Sequence, residues 1–374
     1  MKIIIQHTHY ENQISGVLTY INSIVPELES KGADIRIIST KTNNILEWLR
    51  SVMWTDIVHM NSNNLAFAIF CKLFRKKIII KYHYLFYQST HFEYQPMTFT
   101  QRLKTEFIYS LPKANYPLKW KLHTAVKWAR LAIRIATALL ADRHIACSQF
   151  LAESQAFPWS VFTLYNPIAL SNNLELKSLA DLSQPYTFVF VGRLDKDKGV
   201  DILLEAVRLL QDWHQNFQVL IIGDSSGAKT LPALASELGV INYIQFLGKL
   251  PHSEVLKTVK TSLALIAPSR WQEPAGYVVL EASSVQTCSI VSNMGGLPEM
   301  AGSSSLIFNN EDAEGLAQAM KYCLEHPQQA IERGQQASRY VVAKFSTASA
   351  ASGLMEIAQE LLSTPIKSEK LENG

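Results

Sequence analysis

The sequence predicts an α/β protein of two doubly wound, parallel-sheet domains facing each other across a cleft. Three observations carry that expectation. At 374 residues the chain exceeds one typical domain. Short β-branched apolar runs alternate with amphipathic helical patterns, which specifies parallel sheets covered by helices on both faces. The alternation breaks once, at the polar stretch 171–185, and then restarts.

In order, Ile3–Ile5, Ile35–Ile38, Ile57–Met60 and Ile78–Lys81 read as strands, separated by helical segments such as 17–30. Residues 143–147 and 161–164 supply two further strands. These make a first Rossmann-like domain over 1–170, interrupted by a helical, aromatic-rich insertion at 85–142. Within the insertion a helix starts at Pro117, a good first helical residue. On it Lys119, His123, Lys127, Arg130 and Arg134 recur every three or four residues, beside an apolar face of Leu122, Ala129, Ile133 and Ala136. That stripe is either the solvated side of a core-packed helix or a contact for an anionic membrane surface. On such a surface each base adds roughly 1 kcal/mol.

After the linker at 171–185, Thr187–Val191, Gln218–Ile222, Tyr243–Phe246, Leu263–Ala267 and Ser289–Ser292 are the strands of a second domain, 186–345. A last helix is expected at 346–363, and 364–374 reads as a disordered tail. In open sheets of this kind the ligand sits at the carboxyl ends of the strands. The active site is therefore expected there, between the halves.

The composition is that of a globular protein with a large core, 48% hydrophobic and 18% charged. Cys71, Cys147, Cys288 and Cys323 lack the paired spacing of a zinc site or redox dithiol, so they read as reduced core residues of a cytosolic protein. The opening run Ile3-Ile4-Ile5 is too short for a signal peptide, and no apolar stretch approaches eighteen residues. The net charge of +3 hides an asymmetry: residues 1–170 hold 19 Lys/Arg against 10 Asp/Glu, and 171–374 hold 16 against 22. An anionic partner for the first half follows.

Two segments carry chemistry. Gly192-Arg193-Leu194-Asp195-Lys196-Asp197-Lys198-Gly199 joins the strand Phe188–Val191 to the helix Asp201–Leu210. A strand-to-helix junction favours phosphate, because the helix N-terminus offers unpaired N–H groups and a positive dipole end. Arg193 and Lys198 add formal charge there; a lysine-rich surface loop is the plain alternative. Asp195 and Asp197 match a short metal-binding pattern, but flanking lysines argue against a metal. In Glu273-Pro274-Ala275-Gly276-Tyr277-Val278-Val279-Leu280-Glu281, proline and glycine put Glu273 in a turn and start a helix near Gly276. The amides of Gly276, Tyr277 and Val278 then face a ligand. Glu281, one turn further, can accept the hydroxyls of a ribose. Acids favoured at a helix start would explain either glutamate without a ligand.

On these residues the chain resembles a retaining glycosyltransferase of family 4, with the GT-B fold. The resemblance rests on Gly192-Arg193-Leu194 with Lys198-Gly199, Gly223-Asp224, Phe246-Leu247-Gly248, Pro268-Ser269, the Glu273/Glu281 pair and Gly295-Gly296-Leu297-Pro298-Glu299. It implies that Arg193 and Lys198 bind a donor diphosphate, Glu281 its ribose and Glu273 its sugar. It also implies that helix 346–363 crosses back to the first domain. The family's glycine pair after the first strand is Ser15-Gly16 here, leaving Gly16 alone for close approach to phosphate. His83 resembles a family histidine beside the reacting sugar, whereas Asp56 and His59 read as structural.

The expected reaction is transfer of a hexose from a nucleotide diphosphate-sugar, a UDP-sugar by resemblance, with retention and without cofactor or metal. The basic, aromatic first half points to a membrane lipid or lipid-linked acceptor, such as a glycosyl-diacylglycerol, and to a cytoplasmic protein peripheral at a membrane. The alternatives are a soluble saccharide or small-molecule acceptor, or a non-catalytic sugar-nucleotide-binding protein. A nicotinamide dehydrogenase is excluded because no Gly-x-Gly-x-x-Gly follows the first strand, and no nucleic-acid module is recognisable.

Overall fold

The structure, a computed structural model, describes residues 1–10, 15–87, 97–110, 118–168 and 175–363. Parts of the expected insertion and linker, including Pro117 and 171–174, lie outside these residues, as does the tail at 364–374. The side chains of Lys119 and His123 do too. The chain divides into two compact units. One comprises 1–147, 152–167 and the segment from Thr347 onward; the other comprises 148–151 and 168–346.

The first unit is built from β1 (Lys2–His7), α1 (Gly16–Ser30), β2 (Asp34–Ser39), α2 (Ile45–Trp54), β3 (Ile57–Met60), α3 (Leu65–Leu73), β4 (Lys77–Tyr82), α4 (Phe99–Ser110), α5 (Leu118–Leu139) and β5 (Arg143–Ala146). After α6 (Gln149–Ser154) comes the short β6 (Phe162–Thr163). The six strands are parallel in the order β2-β1-β3-β4-β5-β6. Helix starts are locally encoded: Ser15 caps α1 by accepting from Leu18 N, Asn44 and Glu47 form a capping box on α2, and Asn64 caps α3.

The second unit runs β7 (Tyr186–Val191), α7 (Val200–Leu210), β8 (Phe217–Ile222), α8 (Leu231–Glu237), β9 (Ile244–Gly248), α9 (His252–Thr261), β10 (Ala264–Ala267), α10 (Tyr277–Ser284), β11 (Cys288–Ser292), α11 (Leu297–Ala301), β12 (Leu306–Phe308), α12 (Ala313–Glu325) and α13 (Pro327–Lys344). Its sheet is again all parallel, in the order β12-β11-β10-β7-β8-β9. The chain winds outward from β7 through β8 and β9, then crosses back to β10. The carboxyl ends of β7 and β10 are therefore a topological switch point, where such sheets bind ligands. Phe188, Phe190, Leu203, Val207 and Phe217 are among the residues filling this core.

The last helix, α14 (Thr347–Ser363), belongs to the first unit. Ala350, Leu354, Ala358 and Leu361 recur at helical spacing and are buried with Tyr20, Ile21, Ile24 and Leu28 of α1. The small alanines let the two helices approach closely. The division also departs from a single boundary near 170. Ser148–Leu151 pack with the second unit, where Glu299 accepts from Gln149 N at 2.8 Å and Phe150 N at 3.0 Å. Both amides open α6, so the carboxylate satisfies donors that a helix start leaves unpaired. The four cysteines are buried thiols outside any disulfide. Among the described residues no helix is long and apolar enough to cross a membrane.

Candidate active site

In the second unit the site is assembled by glycines that let three strand ends and two loops touch. Gly192 N donates to Ile222 O at 3.0 Å and Gly223 N to Gly248 O at 2.8 Å. At Gly199, φ is +71° and a Cβ would lie 1.9 Å from Pro268 O, so only glycine lets the loop after β7 reach the loop after β10. Backbone bonds fasten that approach: Arg270 N and Trp271 N donate to Asp197 O at 2.9 and 3.2 Å.

The approach brings Lys198 to Glu273, and the two form an ion pair. Ser269 Oγ lies 3.1 Å from both Glu273 Oε1 and Asp197 O and donates to one at a time. Beneath the turn, Gly296 N donates to Glu273 O at 2.7 Å, and a Cβ on Gly295 would sit 2.4 Å from Glu273 N. The Gly295-Gly296 pair is thus the floor on which Glu273 rests.

Gly276 is the N-cap of α10. The first intrahelical bond runs from Val279 N to Gly276 O at 3.0 Å, so the amides of Gly276, Tyr277 and Val278 precede the helical ladder. These three residues, with Arg193, Lys198, Ser269 and Glu273, line a cavity of about 240 Å³ at the switch point. Phe190, Pro268 and Leu297 supply its apolar wall.

Arg193 and Glu281 stand differently from Lys198 and Glu273. Arg193 is 61% exposed and its guanidinium pairs with Asp195 and, at 3.1 Å, Asp197. The two aspartates that resemble a metal pattern are thus engaged by this cation. Among the described residues no cluster of three His, Cys, Asp or Glu could hold a metal ion. Glu281 is not part of the cavity lining; its Oε1 lies 2.9 Å from His252 Nε2. His252, 67% exposed at the start of α9, escaped the sequence reading. Its signal was the Pro251-His252 step that follows Lys249-Leu250 after β9. Arg270 also escaped. It bonds Asp201 at 2.5 Å, Glu311 at 3.3 Å and Lys196 O at 3.0 Å, bracing the loop that carries Lys198.

In the first unit, His83 follows β4 and Gly16 opens α1. His83 Nε2 lies 2.9 Å from Asn61 Oδ1, and Asn166 Nδ2 approaches its Nδ1 at 3.5 Å. So placed, Nε2 carries the proton and Nδ1 accepts. Burial first, then the charges of Lys81, His59 and His9, hold the His83 pKa well below the ordinary imidazole value. His59 is fully buried, 3.1 Å from Tyr20 OH, and burial with nearby Lys81 lowers it to about 3. Lys81, buried under the Tyr20 ring and donating to Leu164 O at 2.7 Å, is lowered by burial to about 7. Asp56 accepts from Lys2 N, at the start of β1, at 2.7 Å. Asn61, Asn166, Tyr20 and Lys81 were not legible as a cluster in the sequence.

The second unit is a Rossmann-like domain whose switch-point cavity sets Arg193, Lys198 and Glu273 against an apolar wall, and residues 173–340 match the family described as Glycosyl transferases group 1. That match takes in most of the second unit and a little under half of the chain. It is 34% identical over 181 residues to the D-inositol 3-phosphate glycosyltransferase of Corynebacterium jeikeium, a match covering 46% of this chain and 43% of that protein. The chain spans less than half the length of the curated relatives it matches.

In fold, it resembles sucrose-phosphate synthase from Thermosynechococcus elongatus, with a TM-score of 0.70, 18% identity and 96% and 98% of the two chains covered. It also resembles Anabaena HepE solved with UDP-glucose, with a TM-score of 0.72, 16% identity and 96% and 100% covered. The fold class is GT-B, two Rossmann-like units in one chain.

Proposed function

We propose that the protein is a retaining glycosyltransferase that moves a hexose from a nucleotide diphosphate-sugar, a UDP-sugar, to a membrane lipid or lipid-linked acceptor. The observation that carries the donor half is the cavity at the β7/β10 switch point. There a lysine, an arginine-bearing loop and the first residues of α10 surround one volume. A diphosphate needs that combination of dipole, amides and cations.

In this reading Lys198 and Arg193 bind the diphosphate, with Gly276, Tyr277 and Val278 presenting amides to it. Arg193 must first leave Asp195 and Asp197. Its exposure makes that pairing worth only about 0–1 kcal/mol, so an incoming diphosphate outcompetes it. Glu281 accepts the ribose hydroxyls, and Glu273 holds the sugar beside the reacting carbon. The bond from that carbon to the diphosphate oxygen breaks, and a bond to the acceptor oxygen forms on the same face. The acceptor's proton passes to the departing diphosphate, whose growing charge the two cations stabilise. His83, neutral by virtue of its depressed pKa, serves as a hydrogen-bonding group near the sugar rather than as a cation. Gly16, which opens α1, is assigned to a donor phosphate by the resemblance. The cations do this work without a metal or cofactor.

The lipid acceptor rests on the charge of the first half and on α5, which carries five Lys/Arg and no acid. A soluble acceptor is the second reading, favoured by the relative named for inositol 3-phosphate. The test is sugar transfer from a panel of nucleotide-sugars, with and without glycolipid-containing liposomes. Label appearing in the lipid phase supports the proposal; equal turnover without liposomes replaces it with a soluble acceptor.

A further inference from the structure

α3 presents a problem of burial. Its sequence, Leu65-Ala66-Phe67-Ala68-Ile69-Phe70-Cys71-Lys72-Leu73, is apolar around the whole helix apart from one lysine. Such a helix is normally covered on every side. Here Phe67, Ala68 and Cys71 are buried against the sheet, while Ile69 is 45% exposed and Leu73 75% exposed.

The exposure extends to α2. Trp48 of α2 meets Phe67 and Phe70 of α3 with ring centroids 5.2 and 6.4 Å apart, and Phe70 meets Phe74 at 5.1 Å. The two helices are therefore one packed layer. Its outer side shows Ile45, Leu46 and Met53 from α2 and Ile69, Leu73 and Phe74 from α3. α5 packs beside α3 and adds exposed Val126 and Ile133, with exposed Arg130 between them at helical spacing. Arg50 and Arg75 stand exposed in the same layer.

We infer that this α2–α3–α5 face is a docking surface for an anionic lipid bilayer. Two features select that occupant. The apolar side chains come from three helices as a broad layer rather than a groove for one peptide, which suits insertion at a headgroup boundary. The exposed charges mixed with them are basic, namely Arg50, Arg75 and Arg130, while Lys72 and Lys77 are paired with Asp142. A second copy of the chain would set these cations against one another, whereas anionic headgroups neutralise them. Arg130 between Val126 and Ile133 can lay its stem along the apolar side chains and keep its guanidinium at the phosphates. The inference deepens the lipid-acceptor reading by placing the surface that would bring the enzyme to its acceptor, yet it needs neither donor nor turnover.

The test is co-sedimentation of the full chain with vesicles of phosphatidylcholine alone and of equimolar phosphatidylcholine and phosphatidylglycerol. Binding is expected on the anionic vesicles and lost at high salt. Ile69→Gln combined with Leu73→Gln should lower the partition coefficient at least about tenfold, from the apolar area withdrawn. Arg50→Glu should lower it about fivefold or more on anionic vesicles only. Both changes are on exposed side chains, so melting temperature should be kept. Three results overturn the inference. One is failure of the native chain to bind anionic vesicles, and another is binding that the Gln pair leaves unchanged. The third is a self-associating native chain that the Gln pair turns into monomers, which assigns the face to a second copy. Glycosyl transfer that survives any of these results leaves the proposed activity standing.

Discussion

Lys198 and Glu273 form an ion pair with side chains only 19% and 16% exposed, joining the loop after β7 to the loop after β10. The pair preorganises the cation that the proposed diphosphate needs, while Ser269 and the Gly295-Gly296 floor hold the carboxylate. Its energetics lie between those of a surface pair and a buried one. Breaking it by Lys198→Met or Glu273→Gln should cost between about 1 and 3 kcal/mol of stability. Either change should also lower kcat/KM by about 10²–10³. The double variant should recover most of the stability and none of the activity. Urea denaturation with steady-state kinetics checks this, and a double variant with restored turnover would refute the donor role.

Gly199 is predicted to tolerate no side chain. A left-handed residue with a Cβ costs roughly 1–2 kcal/mol, and the contact with Pro268 O adds to it. Gly199→Ala should destabilise the second unit by at least about 2 kcal/mol and weaken nucleotide-sugar binding. A denaturation midpoint equal to that of the native chain would contradict this.

His252 Nε2 holds Glu281 Oε1 at 2.9 Å, and in the proposed donor site the other carboxylate oxygen is the one assigned to the ribose. His252→Ala should raise the donor KM several-fold with little change in kcat, and His252→Gln should restore much of the loss by donating from its amide. Kinetics with a ribose donor and its 2′-deoxy counterpart report the role. Unchanged discrimination in His252→Ala would remove His252 from the site.

Buried Lys81 makes stability rise with pH. Its folded pKa of about 7 lies below the unfolded value of 10.5. Between those values the unfolded chain holds a proton that the folded chain has released, so raising pH favours folding. Lys177, lowered by burial to about 7 while donating to Ser262 O at 2.8 Å, acts in the same direction. From pH 7 to 9 the melting temperature should rise less in Lys81→Met than in the native chain. Identical slopes would show that Lys81 is charged when buried.

The sheets were legible because β-branched runs such as Ile3-Ile4-Ile5 and Ile78-Ile79-Ile80 have one reading when buried on both faces. The strand-to-helix turns at Gly192–Gly199 and Glu273–Gly276 were legible because glycine, proline and charge coincide there. The His83–Asn61–Asn166 and His252–Glu281 contacts were not. Each joins side chains from separate elements, at sequence separations of 22, 83 and 29, which no local pattern encodes. The exposed outer side of α3 was hidden for another reason. Its sequence reads as a core helix, and only the packing shows which side is left bare.

In the proposed function, the cavity at the β7/β10 switch point holds a nucleotide diphosphate-sugar. The most direct measurement is calorimetric titration of native, Lys198→Ala and Arg193→Ala proteins with UDP-, GDP- and ADP-hexoses. Saturable binding of one donor by the native chain, weakened at least tenfold in each folded variant, is the predicted result. Binding of equal strength in all three proteins would place the donor elsewhere, and the assignment of Lys198 and Arg193 would fail with it.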